Sequence, residues 1–202
     1  AGPCHPDKHY MLPAQERCKG IKDLIDQEQY FVLHAARQSG KTTFLLDLVR
    51  QLNTSEAYYA LYCSLESVQG ISDMERGVPA IVRNLIKEVE FHEYLEGYSF
   101  AENADYSDFN NVLVKSIAYF CKKLDKPLVI LFDEADCLAD ETLISFLRQL
   151  RDGYVNRHRI PFVHSVGLIG MRNIRDYRAK VRPEQNSIGS ASPFNIVSEV
   201  FT

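Results

Sequence analysis

The chain contains no apolar run near the roughly 20 residues that span a membrane, and its first residues have no signal-peptide core. We therefore expect a cytoplasmic protein with no membrane partner. Excess positive charge is also missing: the net charge is −4, which argues against a general affinity for nucleic acid. No internal repeat or low-complexity tract is present, so nothing indicates a repeat architecture.

The five cysteines form no Cys-x-x-Cys pair, and their spacing is irregular. An odd number at such spacing favours reduced thiols in a cytoplasm over a disulfide framework. Cys4, His5, His9 and Cys18 could in principle hold zinc, but their spacing matches no common finger. A solvated N-terminal arm is the simpler interpretation.

Hydrophobic residues make up 46% and charged residues 25% of 202 residues, which is typical of one sizeable globular domain. Apolar runs alternate with helical patterns, and this alternation predicts an α/β sandwich with a mostly parallel sheet. Strands are predicted at residues 30–34, 57–65, 128–132, 162–169 and 196–201. Helices are predicted after Thr42, at 78–95, at 108–124 with Ser107 as N-cap, and from about Asp140.

The segment 35–42 reads Ala-Ala-Arg-Gln-Ser-Gly-Lys-Thr and lies between a strand and a helix, the context of a phosphate-binding loop. Gly40 lets the backbone approach an anion, and the amides at the start of the helix point towards it. Lys41 can bridge the β- and γ-phosphates, and the Thr42 hydroxyl can bind Mg²⁺. The residues expected to contact the nucleotide are Ala36, Arg37, Gln38, Ser39, Gly40, Lys41, Thr42 and Thr43.

A second half-site follows the strand 128–132, which is apolar on both faces and so predicted to lie at the centre of the sheet. This strand carries Asp133 and Glu134 to the carboxyl edge, where ligands of open α/β sheets bind. Asp133 can join Thr42 at Mg²⁺, and Glu134 can polarise a water for attack on the γ-phosphate. Together the two motifs predict MgATP hydrolysis.

These motifs resemble those of P-loop ATPases with an additional catalytic glutamate, within the AAA+ and signal-transduction ATPase group. The sequence Ala-Arg-Gln-Ser-Gly-Lys-Thr-Thr-Phe-Leu is similar to the phosphate loop of bacterial AAA-like ATP-binding proteins, and 167–177 resembles the segment after their fourth strand. The resemblance implies a three-layer sandwich with strand order 5-1-4-3-2. It also implies that Arg172, or less strongly Arg175, senses the γ-phosphate, and that Tyr10 stacks on the adenine.

The resemblance divides the chain into an N-terminal arm at 1–29, which contributes to the adenine pocket, and an ATPase core at 30–202. Members of the group usually carry a helical lid after the sheet; the chain leaves no room for one, so we expect a core excised from a longer protein. An arginine from a neighbouring subunit could complete the site. The candidates are Arg148, Arg151 and Arg157.

Several alternatives remain open. ATP could act as a switch or scaffold ligand with little turnover, because Glu134 serves both uses. Residues 133–136 spell Asp-Glu-Ala-Asp, the signature of one helicase family, but no single-strand-binding motifs appear between Leu52 and Gly97. A small-molecule kinase would share the phosphate loop but would not need the Asp-Glu pair. Self-association or a protein partner is expected, and the basic segment 172–182 leaves nucleic acid open.

Overall fold

The computed structural model describes residues 20–34, 40–102 and 104–170, together with the backbone of 194–196. The strands are β1 (Tyr30–His34), β2 (Tyr59–Ser64), β3 (Leu128–Asp133), β4 (Ser165–Gly170) and β5 (Phe194–Ile196). The helices are α1 (Ile21–Asp26), α2 (Lys41–Thr54), α3 (Met74–Glu90), α4 (Val112–Lys123) and α5 (Asp140–Asn156). Short 3₁₀ turns occupy Glu66–Val68, Glu93–Leu95 and Ala135–Cys137.

The five strands form one sheet in the order β2-β3-β4-β1-β5, and all four neighbouring pairs are parallel. Read from β5, this is the order 5-1-4-3-2 that the resemblance implied, and the α/β prediction is confirmed. Parallel pairing brings the carboxyl ends of the strands to one edge. The register places Ser64 of β2 beside Asp133 of β3, and His34 of β1 beside Gly170 of β4.

Helices cover both faces of the sheet, which gives three layers. On β3, Ile130 and Phe132 pack with the core formed by α3, α4 and α5, whereas Val129 and Leu131 pack with α1 and α2. Every residue of β3 is buried, because successive side chains enter opposite cores. Among the described helices, none combines the length and the apolar character needed to cross a membrane.

Two helix boundaries differ from the predicted ones. The helix predicted at 108–124 begins at Val112, and the prediction of Ser107 as its N-cap is wrong. Ser107 instead donates from its amide and its hydroxyl to Asp105, which forms a separate turn. The helix predicted at 78–95 spans Met74–Glu90, because the Asp73 carboxylate accepts from the amide of Glu75 and caps an earlier start.

Smaller differences concern the ends of the chain. β4 begins at Ser165, three residues later than predicted, and β5 covers Phe194–Ile196 where 196–201 was predicted. The predicted N-terminal arm contains α1, whose Ile21 and Ile25 are buried in the core on the α2 side of the sheet.

The outer edge of β2 is bound by side chains rather than by another described strand. Asn53 of α2 accepts from the amide of Ala60 at 3.0 Å and donates to its carbonyl at 2.9 Å. The ring of His92 lies 2.9 Å from the same carbonyl. These contacts satisfy backbone groups that an edge strand otherwise leaves unpaired.

Candidate nucleotide site

The phosphate-binding segment meets α2 at Gly40, whose backbone is left-handed with φ 76°. Glycine adopts this conformation without the steric penalty that a Cβ would bring. Its carbonyl accepts the first α2 hydrogen bond, from the amide of Phe44 at 2.9 Å. The helix therefore begins at Lys41, with its amino end at the carboxyl edge of the sheet. Thr43 lies half-buried in the first turn.

Lys41 forms two ion pairs with the end of β3. Its Nζ lies 2.8 Å from Asp133 Oδ1 and 2.7 Å from Glu134 Oε1. The Lys41 side chain is only 9% exposed and that of Asp133 only 1%. Burial by itself lowers the pKa of Lys41, but the two carboxylates more than offset burial and hold this pKa above its ordinary value. Lys41 therefore presents a positive charge at the sheet edge.

Both carboxylate oxygens of Asp133 are satisfied by donors. Oδ1 accepts from Lys41 and from the backbone amide of Glu134 at 2.8 Å. Oδ2 accepts from the Tyr62 hydroxyl at 3.0 Å and lies 3.4 Å from Thr42 Oγ1. A buried carboxylate requires such partners, because an uncompensated charge away from water is strongly unfavourable. The orientation of Asp133 is thus fixed from four sides.

Glu134 turns the chain away from β3. Its backbone is left-handed, with φ 55° and ψ 36°, which is uncommon for a residue with a side chain. Such strain, of about 1–3 kcal/mol, concentrates at functional sites. The Glu134 side chain is 38% exposed and is therefore accessible to water at the position where its carboxylate meets Lys41.

Tyr62 is the site residue that the sequence predictions missed. Burial, and then the neighbouring charge of Asp133, raise the pKa of Tyr62 well above its ordinary value, so the phenol remains a hydrogen-bond donor at neutral pH. A signal was available: Tyr62 lies towards the end of the predicted strand 57–65. In the implied order that strand neighbours the one that ends at Asp133.

The donor set fits a magnesium ion. Thr42 and Asp133 present hydroxyl and carboxylate oxygens, the hard ligands that Mg²⁺ prefers. Within the described residues, no three His, Cys, Asp or Glu side chains converge on one point. The arrangement therefore matches the common case in which Mg²⁺ takes one or two protein ligands and completes its shell with phosphate and water.

Several predicted site residues lie outside the described residues. They are Tyr10, Ala36, Arg37, Gln38, Ser39, Arg172 and Arg175, together with Cys4, His5, His9 and Cys18 of the zinc hypothesis. Of the candidate intersubunit arginines, Arg148 donates to Asn110 at 2.7 Å. Arg157 stacks 3.8 Å from the ring centre of Tyr154. Arg151 lies half-buried on α5.

Comparison with known proteins supports the fold. No family model matches the chain, and no curated protein does either. A Walker-type ATPase of Pyrococcus abyssi superposes with a TM-score of 0.58 at 13% identity, over 93% of this chain and 54% of that one. Drosophila ORC bound to poly(dA/dT) DNA and Cdc6 gives a TM-score of 0.56 at 12% identity, over 93% of this chain and 29% of that one.

A second Drosophila ORC structure, bound to GC-rich DNA and Cdc6, gives a TM-score of 0.56 at 13% identity, over 94% of this chain and 29% of that one. The chain therefore has the α/β fold of P-loop ATPase structures, with a parallel sheet between helical layers. It spans about half or less of the length of these structures. Identities this low show the fold alone.

Proposed function

We propose that this chain is the nucleotide-binding core of an AAA-like ATPase, which binds MgATP and hydrolyses its β–γ bond to drive a conformational or assembly change. The observation that carries the proposal is the convergence of Lys41, Thr42, Asp133 and Glu134 at one point of the sheet edge. Residues from two distant segments meet there with the charge and the oxygen donors that a magnesium–triphosphate complex requires.

Each residue of the site has a proposed role in binding MgATP. Lys41 neutralises the β- and γ-phosphates and exchanges its carboxylate partners for phosphate oxygens. Thr42 and Asp133 would hold Mg²⁺, which when bound neutralises phosphate charge. The amides at the start of α2 point out of its amino end without intrahelical partners, and the helix dipole also favours a negative charge there. The loop residues 36–39, Tyr10 and Arg172 are proposed to contribute as their motifs imply.

In hydrolysis, Glu134 is the general base. Once phosphate engages Lys41, the Glu134 carboxylate is released to accept a proton from water. The water oxygen forms a bond to the γ-phosphorus, and the bond from that phosphorus to the β–γ bridging oxygen breaks, which leaves ADP and phosphate. Positioning and charge stabilisation supply most of the rate enhancement in such reactions.

A second candidate function is an ATP-dependent switch with little turnover. The 2.7 Å contact between Lys41 and Glu134 favours it, because a base engaged by lysine must be freed before each cycle. Rates of single-turnover hydrolysis and ADP release separate the two candidates. A motor completes many cycles with neither step stalled, whereas a switch remains in one nucleotide state.

The output of the cycle is proposed to be self-association or the binding of a protein partner. The Drosophila ORC structures contain DNA and Cdc6, which makes assembly and DNA two outputs worth testing for this chain. The basic segment 172–182, the candidate for a nucleic-acid contact, lies outside the described residues. Assembly state in the presence of ATP, ADP and no nucleotide, measured by light scattering, tests the first output.

The decisive test of the hydrolase is Glu134→Gln, with Glu66→Gln as its matched control. Glu66 is exposed and follows β2 at the same edge of the sheet, but makes no described contact with Lys41 or Asp133. We expect Glu134→Gln to retain MgATP binding and to lose hydrolysis by about 10²–10⁴-fold, the usual contribution of a positioned base. Isothermal titration and phosphate release measure the two quantities.

Glu66→Gln should behave as the wild type in both measurements. Turnover at the wild-type rate in Glu134→Gln would assign the base to another residue. Failure of the wild-type protein itself to bind MgATP would remove the proposed function altogether.

A further inference from the structure

We propose that Tyr62 is a positioning residue of the magnesium site, whose phenol sets the affinity for the divalent cation by fixing the Asp133 carboxylate beside the Thr42 hydroxyl. This inference rests on the proposed function and adds a residue that the two nucleotide motifs do not contain. Tyr62 touches neither phosphate nor the reacting water in this assignment. It acts through Asp133.

Three oxygens form one cluster at this point. The Tyr62 hydroxyl donates to Asp133 Oδ2 at 3.0 Å, and the same Oδ2 lies 3.4 Å from Thr42 Oγ1. The phenol from β2 and the hydroxyl from α2 thus meet at the same carboxylate oxygen, and both constrain its position. Groups that orient metal ligands in this way are the outer shell on which metal affinity depends.

The phenol is delivered from a rigid element. Tyr62 pairs with Leu131 in the β2–β3 register, and its ring packs against the core on the α2 side of the sheet. A half-buried ring on a strand has little freedom to move its hydroxyl away from Asp133. Asp133 is therefore positioned by its neighbouring strand as well as by its own.

The role of Tyr62 becomes larger when nucleotide binds. Oδ1 of Asp133 accepts from Lys41, which the proposed function transfers to phosphate. Oδ2 keeps its bond to Tyr62, because the phenol is neutral and is not attracted to the phosphate as an ammonium is. Without Tyr62, the carboxylate would lose both side-chain donors that hold it firmly, and it would reorient before it met the cation.

Tyr59 provides a matched control on the same strand. Its hydroxyl donates to Asp125 Oδ1 at 2.9 Å, at the amino end of β2 and on the far side of the sheet from the proposed site. Tyr62→Phe and Tyr59→Phe each remove one phenol donor from one aspartate while keeping the ring. If loss of a phenol bond has a general effect on the protein, both variants will show it. An effect on the metal site should appear in Tyr62→Phe alone.

The experiment measures the dissociation constant of a non-hydrolysable ATP analogue in MgCl₂ and in EDTA for each protein. The ratio of the two constants reports the coupling between metal and nucleotide. In Tyr62→Phe we expect this coupling to fall by about 10–100-fold, with binding in EDTA unchanged. Tyr59→Phe should keep the wild-type ratio. Replacing Tyr62 with 4-aminophenylalanine, whose amino group donates from the position of the phenol oxygen, should recover part of the coupling.

Wild-type coupling in Tyr62→Phe, or an equal loss in Tyr59→Phe, overturns the role of Tyr62 while wild-type MgATP binding stands. Absence of analogue binding to the wild type in MgCl₂ overturns the proposed function and this inference with it. If Tyr62→Phe melts without a folded baseline, the 4-aminophenylalanine protein carries the decision. A folded 4-aminophenylalanine protein with no metal coupling contradicts the proposal.

Discussion

The two ends of the parallel sheet use the same side chains in opposite environments. At the carboxyl end, Tyr62 donates to Asp133, whose side chain is 1% exposed and is bound by Lys41. At the amino end, Tyr59 donates to Asp125 and Tyr58 donates to Asp26 at 2.8 Å. Both amino-end aspartates are exposed.

The two ends differ in how far their charged groups are buried, and this difference distinguishes the end that carries the proposed site. Exposed pairs such as those of Asp26 contribute little energy and constrain little else. A buried ion pair offers no clear gain over apolar packing, yet at the carboxyl end one lysine forms the buried pair with Asp133 and a partly exposed pair with Glu134. Stability alone does not explain that arrangement, whereas the proposed binding of a magnesium–phosphate complex does.

The largest difference between the two ends is expected when Lys41→Ala is compared with Lys22→Ala. Lys41→Ala should abolish tight ATP binding and, by leaving Asp133 buried without its cation, lower the free energy of unfolding by about 3–5 kcal/mol. Lys22→Ala breaks only the exposed pair with Asp26 and should cost at most about 1 kcal/mol. Urea unfolding and nucleotide titration measure both. Unchanged ATP binding in Lys41→Ala would contradict the phosphate-loop assignment.

A smaller effect is expected from the neutral group that holds the amino end of β2. Asn53→Ala removes both side-chain bonds to the Ala60 backbone and should lower the free energy of unfolding by about 1–3 kcal/mol, with MgATP binding retained. Asn156→Ala, at the end of α5, is the control and should stay within about 0.5 kcal/mol. Loss of nucleotide binding in Asn53→Ala would show that the two ends are not independent.

The smallest effect concerns pH at the amino end. Burial, and then the bond to Asp26, raise the pKa of Tyr58 from 10.0 to about 12. Because this pKa is raised in the folded state, the stabilising contribution of Tyr58 is complete below pH 10. It is lost as the pH rises through about 12.

The difference in absorbance at 295 nm between the wild type and Tyr58→Phe isolates this phenol. It should titrate near pH 12 in the folded protein, whereas the same difference measured in denaturant should titrate near the ordinary value of 10.0. A Tyr58 signal complete by pH 10 would contradict the structure.

Periodicity and motif context were sufficient to predict the centre of the fold. The strand at 30–34 has the predicted bounds, and the doubly apolar run before Asp133 lies inside the sheet between β2 and β4. The strand–loop–helix context also predicted that Thr42 and Asp133 would lie close together, since both follow strands at one edge. These signals are local or follow from parallel pairing.

What could not be predicted depended on contacts between segments. The apolar spacing predicted a helix from residue 78, but the Asp73 cap begins α3 at Met74. Ser107 is a residue type that often caps helices, but here its amide and hydroxyl donate to Asp105 instead. The contact of Tyr62 with Asp133 depends on the β2–β3 register, and neither strand sequence by itself determines that register.

The side chains on the outer edge of β2 have a consequence for behaviour at high concentration. An open strand is a template on which a second molecule can add its own strand, and repeated addition produces fibrils. Here the amide and the carbonyl of Ala60 are already taken by Asn53, with His92 on the same carbonyl. Asn53 and His92 therefore occupy backbone groups that an added strand would have to pair with, and we expect them to disfavour aggregation through this edge.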